Sequence, residues 1–135
     1  MKKALVFTAI VLALIGGFML ISSPSEQTQQ TAGVSTEMSE FSTIENDLKN
    51  GAVLLDVRTV EEFNESHIQQ AVLFPLQTIE AGQFPEVEKT NKIYVYCRSG
   101  NRSAQAEKLL KNQGYSNIVD LGAMSDVIAL GATTE

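Results

Sequence analysis

The stretch KIYVYCRSGNRSAQAEKLLKNQGY, Lys92 to Tyr115, predicts a strand and the helix that follows it. Its first six residues, Lys92 to Cys97, are mostly apolar and predict a buried strand. After a short loop, a helix is predicted from Ser103 to Gln113, with Gly114 as its C-terminal stop. The inner face of this helix carries Ala106, Leu109 and Leu110. A strand is therefore followed directly by a helix.

Apolar runs elsewhere in the chain predict three further strands. They are Ala52–Val57 (AVLLDV), Ala71–Leu76 (AVLFPL) and Asn117–Leu121 (NIVDL). We expect the first two of these to be buried, and the second to stop near Pro75.

Helical patterns lie between these strands. A first helix is predicted over Phe41–Lys49, with Ser39 as its cap and Asn50-Gly51 at its end. Thr59 and Glu62 form a capping-box pattern that starts a short second helix.

With a last short helix expected within Gly122–Leu130, strands and helices alternate along the chain. This order predicts an α/β fold with a small, mostly parallel β-sheet flanked by helices on both faces. In such folds, active sites lie beyond the carboxyl ends of the strands. Cys97, the only cysteine of the chain, lies at such an end.

The loop after Cys97 has the composition of an anion cradle. It consists of Arg98, Ser99, Gly100, Asn101 and Arg102. Glycine allows a positive φ, and the start of the helix supplies unpaired N–H groups and the positive end of the helix dipole. Together with the guanidinium charges, this cradle would stabilise a thiolate, so we predict covalent catalysis at Cys97 on an anionic substrate or through an anionic sulfur intermediate. The alternative is a buried, inert cysteine beside solvated arginines.

The first residues of the chain predict export. Lys2 and Lys3 precede an uncharged apolar run over residues 4–21, the layout of a secretory signal peptide and the lower length limit of a membrane span. We expect a signal peptide or N-terminal membrane anchor over residues 1–25, a polar linker over 26–33 and one domain over 34–135. The domain would then be periplasmic, either free or tethered to the inner membrane by residues 4–21.

Charge and residue counts restrict the partners. The formal net charge is −6, and removal of Lys2 and Lys3 would make it −8, which argues against nucleic acid. One cysteine and one histidine do not make the usual four-ligand metal site, so we predict no metal and no cofactor. A single cysteine in an exported protein is intermolecular, buried and inert, or reactive. We expect a monomer.

The segment YCRSGNRS, Tyr96 to Ser103, resembles the active loop of rhodanese-type sulfurtransferases. The resemblance continues through LLDVRTVEEFNESHI, AVLFPL and GYSNIVDLGA, so it spans nearly the whole domain. It implies a single-domain rhodanese-like fold and a cysteine that accepts sulfane sulfur. Cys97 would take sulfur from a small anionic donor such as thiosulfate and become a persulfide held by the loop. It would then pass the sulfur to cyanide or a thiol.

Four positions depart from the usual pattern of that family. Ser66 and Gln70 stand where glycine is common, Ala123 replaces the second glycine of a pair, and Val127 stands where tryptophan is usual. These positions lie outside the loop, so the departures concern local packing and the rim of the pocket more than the chemistry.

Three further polar residues are candidates for supporting roles. Asp56 and Arg58 follow the first strand, and we expect a structural ion pair in which Arg58 faces Asp56, Glu61 or Glu62. The alternative is a role in orienting the loop. For His67 we favour a structural role before the second strand over a general base, because an ionised thiolate needs no base.

Two other functions compete with sulfur transfer. Dual-specificity phosphatases and arsenate reductases also use a cysteine-to-arginine loop. Four residues separate Cys97 from Arg102, one fewer than in those phosphatases, and the smaller cradle favours sulfur over phosphate. Rhodanese-like domains can also lose their cysteine and serve as non-catalytic binding or sensing modules, here held at the membrane. The intact loop argues against that role.

Overall fold

Residues 39–135 are described by a computed structural model. Within this range four strands form one sheet: β1 (Val53–Asp56), β2 (Val72–Leu73), β3 (Ile93–Cys97) and β4 (Ile118–Ala123). Five helices accompany them in the same range: α1 (Phe41–Lys49), α2 (Val60–Glu65), α3 (Leu76–Glu80), α4 (Asn101–Asn112) and α5 (Met124–Ala129). The predicted α/β class is confirmed.

The strands of the sheet run parallel in the order β2-β1-β3-β4. Asp56 in β1 pairs with Tyr96 in β3, and Cys97 pairs with Ala123 in β4. The carboxyl ends of three strands therefore meet at one edge of the sheet, which is where ligand sites form in parallel sheets. Cys97 lies on the middle one of these three strands.

Both faces of the sheet bury apolar side chains. In β3, Val95 and Cys97 pack on one face, whereas Tyr94 and Tyr96 pack on the other, as the alternation of a strand requires. On the first face, α3 and α4 contribute Leu76, Ile79, Ala106 and Leu110. On the second face, α1 and α5 contribute Phe41, Ile44 and Val127. Helices thus cover both faces, as the sequence predicts.

The second predicted strand is shorter and less buried than expected. Of the segment Ala71–Leu76, only Val72 and Leu73 form β2, and Val72 is 53% exposed. The reason is that β2 lies at the edge of the sheet and pairs with β1 alone. Leu76 begins α3 instead of ending a strand, because Pro75 has no N–H for a strand ladder and serves as the residue before the helix.

Two helix N-termini also differ from the prediction. α1 begins at Phe41 without a side-chain cap, so the capping role expected for Ser39 is wrong. α4 begins at Asn101 rather than Ser103, because Gly100 adopts a φ of 87° and turns the chain directly into the helix. The predicted capping box of α2 is confirmed.

The four departures from the family pattern lie in turns or in the core. Ser66 ends α2, Ala123 precedes α5, and Val127 is completely buried in the second face of the sheet. Val127 therefore packs inside the domain and does not form the rim of a pocket. Gln70 has a φ of 69°, the only positive value at a non-glycine position within residues 39–135.

We expect Gln70→Gly to raise the free energy of unfolding by about 0.5–1 kcal/mol. The left-handed backbone costs an ordinary residue about 1–2 kcal/mol, which exceeds the entropy that a glycine adds to the unfolded chain. Urea unfolding measures the change. Gln69→Gly is the matched control, because its backbone has no positive φ, and it should not stabilise the protein. A Gln70→Gly variant that unfolds at lower urea than the parent would contradict the expectation.

The predicted signal peptide or anchor (residues 1–25), the linker (26–33) and the first residues of the predicted domain lie outside the described residues. Among the helices from α1 to α5, none has the length and apolar character needed to cross a membrane. The expectations for the N-terminal segments therefore stay predictions.

Candidate functional site

The loop after β3 folds around the sulfur of Cys97, which is completely buried. The N–H of Gly100 donates to Cys97 Sγ at 3.1 Å, and Ser103 Oγ lies 3.7 Å from the same sulfur. Gly100 can turn its N–H inward because it adopts a positive φ, which an L-residue rarely does. The helix that follows begins with its N-terminus beside the sulfur, so the expected cradle of backbone donors is present.

The donors around Cys97 lower the pKa of its thiol. Burial is the largest single influence and would raise that pKa, because it penalises the charged form. The backbone N–H groups of Ser103 and Ser99, the hydroxyl of Ser103 and the N–H of Gly100 favour the thiolate. Together they exceed the effect of burial, so the pKa lies below the ordinary value for cysteine. Neutral hydrogen-bond donors thus favour the nucleophilic form of the residue.

The two arginines of the loop have different environments. Arg102 donates from Nη1 and Nη2 to the two carboxylate oxygens of Glu62, at 2.6 and 2.8 Å. Arg98 is exposed, and within residues 39–135 it forms no side-chain hydrogen bond or ion pair. Among residues 39–135, the charge of Arg102 is therefore largely balanced, whereas that of Arg98 is not. The sequence predicts that the backbone donors and the two arginines together ionise Cys97, and the main favourable causes are the neutral donors.

The remaining loop side chains are exposed. Asn101 Oδ1 accepts a hydrogen bond from Gln105 Nε2 at 2.7 Å, along the first turn of α4. Ser99 acts on the sulfur through its backbone N–H. The predicted loop residues thus share one strand end, and Gly100 donates a hydrogen bond to the sulfur through its backbone N–H.

Asp56 and Arg58 form a buried ion pair behind the loop. Arg58 donates from Nε and Nη2 to the Asp56 carboxylate, the shortest distance being 2.6 Å, and from Nη2 to the Ser66 carbonyl at 2.7 Å. The Tyr96 hydroxyl donates to Asp56 Oδ2 at 2.6 Å and accepts from the Ile68 N–H at 3.1 Å. Of the three partners considered for Arg58, the structure shows Asp56. This network joins β1, β3 and the segment before β2, which supports a structural role.

His67 has contacts that also support a structural role. Its ring stacks on Phe63 with centroids 3.6 Å apart, and Nδ1 lies 3.0 Å from the Phe63 carbonyl oxygen. Its Nε2 lies 3.5 Å from Glu135 Oε1, and its backbone N–H donates to the Glu135 carbonyl. These partners are α2 and the C-terminal residue, not the loop.

Two residues of the site were missed by the sequence argument. The sequence predicts Ser103 only as the start of a helix, although a hydroxyl in the first turn of the helix that follows a nucleophile is a signal that could have indicated its role. Glu62 was assigned to a capping box and considered as a partner of Arg58, but its ion pair with Arg102 is a contact across 40 positions of sequence. No local pattern could have indicated that pairing.

We expect Ser103→Ala to raise the pKa of the Cys97 thiol. Ser103 is completely buried, and next to the thiol its hydroxyl donates to the Gly100 carbonyl at 2.9 Å. The hydroxyl favours the thiolate by turning that one proton to the sulfur, 3.7 Å away, when the thiol ionises. Its loss should also cost about 1 kcal/mol of unfolding free energy, because the hydrogen bond to the Gly100 carbonyl is lost, although that carbonyl still accepts from the Ala104 N–H at 3.1 Å. Thiolate absorbance against pH measures the first effect, with the exposed Ser116→Ala as control. An unchanged midpoint would contradict a role for the hydroxyl.

The parallel sheet and the loop that closes around a cysteine at a strand end define one class of protein. Residues 40–126 match the family model of the rhodanese-like domain. The chain belongs to the rhodanese-like family.

The chain is also similar to individual proteins and to a solved structure. The chain is 31% identical over 74 residues to thiosulfate sulfurtransferase PspE of Escherichia coli. The aligned region covers 54% of this chain and 71% of PspE. It is 36% identical over 69 residues to a sulfurtransferase of Allochromatium vinosum, and this aligned region covers 51% of this chain and 64% of that protein. Among solved structures, it is similar to the rhodanese-like domain of the Anabaena protein Alr3790, with a TM-score of 0.56 and 31% identity over 62% of this chain and 97% of that domain.

Proposed function

We propose that this protein is a sulfurtransferase that carries sulfane sulfur as a persulfide on Cys97. The observation that carries the proposal is a buried thiol whose pKa is lowered by the hydrogen-bond donors of the loop. The names of two relatives support it, since PspE is a thiosulfate sulfurtransferase and the Allochromatium protein is a sulfurtransferase.

The reaction has two displacement steps. The Cys97 thiolate attacks the outer sulfur of thiosulfate; a sulfur–sulfur bond to Cys97 forms, the sulfur–sulfur bond of thiosulfate breaks, and sulfite leaves with the bonding electrons. Cyanide or a thiolate then attacks the outer sulfur of the persulfide. Thiocyanate or a new persulfide forms, and the Cys97 thiolate is released for another cycle.

The surroundings of Cys97 suit both steps. A persulfide anion needs donors that remain in place after sulfur is added, and backbone N–H groups fixed by a helix start provide them. Arg98 is exposed and has no carboxylate partner in the part of the chain that the structure describes, so we assign it to the attraction of the small anionic donor.

The phosphatase and arsenate reductase alternative is weakened by the pairing of Arg102. An arginine that binds a tetrahedral oxyanion uses its two parallel N–H donors, and in Arg102 both Nη atoms donate to Glu62. A non-catalytic binding or sensing module would not need donors that lower the pKa of a buried thiol. These contacts therefore favour sulfur transfer over both alternatives.

We also propose that the protein is exported, on the basis of Lys2, Lys3 and the apolar run over residues 4–21. In that case the rhodanese-like domain is a periplasmic monomer, free or tethered by its N-terminus. The mass of the protein recovered from periplasmic and membrane fractions distinguishes cleavage from anchoring, and recovery from the cytoplasmic fraction would overturn the proposal.

Steady-state assays test the reaction class. We expect thiocyanate formation from thiosulfate and cyanide, with saturation in thiosulfate, and no hydrolysis of an aryl phosphate above the rate without protein. Arg98→Met should raise the KM for thiosulfate more than it lowers kcat, since its charge attracts the donor. Aryl phosphate hydrolysis without thiocyanate formation would reverse the order of the two enzyme hypotheses.

A further inference from the structure

Helix α2 is joined to the first turn of α4 by hydrogen bonds, although none of its residues is buried in the core. The Glu62 carboxylate accepts from the Thr59 N–H at 3.0 Å, and the Thr59 hydroxyl accepts from the Glu62 N–H at 3.3 Å. The same carboxylate accepts both Nη groups of Arg102. Three donors from two elements therefore converge on one side chain.

The N-terminus of α4 has no side-chain cap. Gly100 occupies the cap position and has no side chain to offer. Arg102 directly precedes Ser103, whose N–H and hydroxyl favour the thiolate of Cys97. The ion pair with Glu62 is thus a bidentate contact from the first turn of α4 to a neighbouring helix.

We propose that Glu62 is a positioning residue that, through Arg102, holds the first turn of α4 against the sulfur of Cys97. Glu62 remains ionised through the neutral range, because hydrogen bonds from Arg102 lower the pKa of its carboxyl to about 2. The inference rests on the proposed sulfur transfer for its effect on rate, whereas its effect on the thiolate is measurable without any substrate.

The direction in which the pKa of the Cys97 thiol changes on replacement of Glu62 distinguishes a positioning role from a purely electrostatic one. A carboxylate near a thiolate disfavours the thiolate, so loss of the Glu62 charge by Coulomb's law alone would lower the pKa of the thiol. If Glu62 holds the donors in place, its loss lets them move away from the sulfur, and the pKa rises.

The test is the pH dependence of thiolate absorbance in Glu62→Gln, corrected with Cys97→Ser. The chain has one cysteine, so the signal reports Cys97 alone. We expect the midpoint to rise by about 0.5 pH or more, which reduces the thiolate fraction about threefold below the midpoint. The rate of sulfur loading at a pH below the midpoint should fall by a similar factor, with the KM for thiosulfate unchanged.

A second variant and a matched control accompany this test. Arg102→Lys keeps the positive charge but cannot make two parallel bonds, so its midpoint should also rise. If Glu62→Gln fails to fold, the midpoint of Arg102→Lys alone tests the proposal. Glu107→Gln removes an exposed ion pair with Lys111 on the same helix, at 2.7 Å, and should leave the midpoint unchanged.

A midpoint that is unchanged or lower in Glu62→Gln would overturn the proposal. A lower unfolding free energy with an unchanged midpoint would give the ion pair a purely structural role, which also overturns it. Absence of sulfur loading in the unmodified protein would count against sulfur transfer instead, and the midpoint comparison would still decide the role of Glu62.

Discussion

Cys97→Ser should lower the rate of thiocyanate formation from thiosulfate and cyanide by at least about a thousandfold. Serine keeps the size of the side chain, but its hydroxyl does not ionise near neutral pH and does not form a persulfide. The N–H of Gly100 and the hydroxyl of Ser103, which surround the sulfur, can donate to or accept from the new hydroxyl. The domain should therefore remain folded.

The interpretation of that loss depends on an intact fold. Far-ultraviolet circular dichroism should match the parent, and the urea midpoint should change little, because serine leaves no buried donor unpaired. A folded Cys97→Ser protein that retains a tenth or more of the parental rate would show that sulfur passes by another route.

Arg58→Met should lower the free energy of unfolding by about 3–5 kcal/mol, the largest stability change that we expect for a single substitution here. Asp56 is completely buried and Arg58 is 6% exposed, so the substitution leaves a carboxylate without its charged partner inside the protein. A small domain has about 5–15 kcal/mol in total, so the variant would be close to unfolding at 37 °C. Urea unfolding at 10 °C and at 25 °C measures the loss.

Two comparisons make that measurement specific. Lys111→Met breaks the exposed ion pair with Glu107 and should cost less than about 0.5 kcal/mol. Replacing both partners, Asp56→Asn with Arg58→Met, should recover part of the loss, because the Tyr96 hydroxyl can still donate to the asparagine oxygen. A cost below about 1 kcal/mol for Arg58→Met would contradict the structural role of the pair.

The elements next to Cys97 were predictable from sequence because their signals are local. Four apolar residues precede the nucleophile, a glycine follows at the turn, and a helical repeat begins directly after it, so β3, the loop and α4 could be placed together. The capping box of α2 was predictable for the same reason. The AVLFPL segment misled the prediction, because apolar composition does not distinguish a central strand from a two-residue edge strand that ends at a proline.

The pairing of Arg102 required the structure. Two arginines next to a cysteine suggest activation by positive charge, but Arg102 is paired with Glu62. Sequence does not show that pairing, whereas the glycine and the helix start predict the inward-facing backbone N–H groups. The pairing depends on how α2 and α4 meet beyond the ends of the strands, which is a tertiary property.

The central claim is that Cys97 carries sulfur, and the intact mass of the protein after incubation with thiosulfate tests it most directly. We expect the mass to increase by one sulfur atom, to return to its starting value on addition of cyanide, and to stay constant in Cys97→Ser. An unchanged mass in the folded parent protein, or an equal increase in Cys97→Ser, would contradict the proposed persulfide.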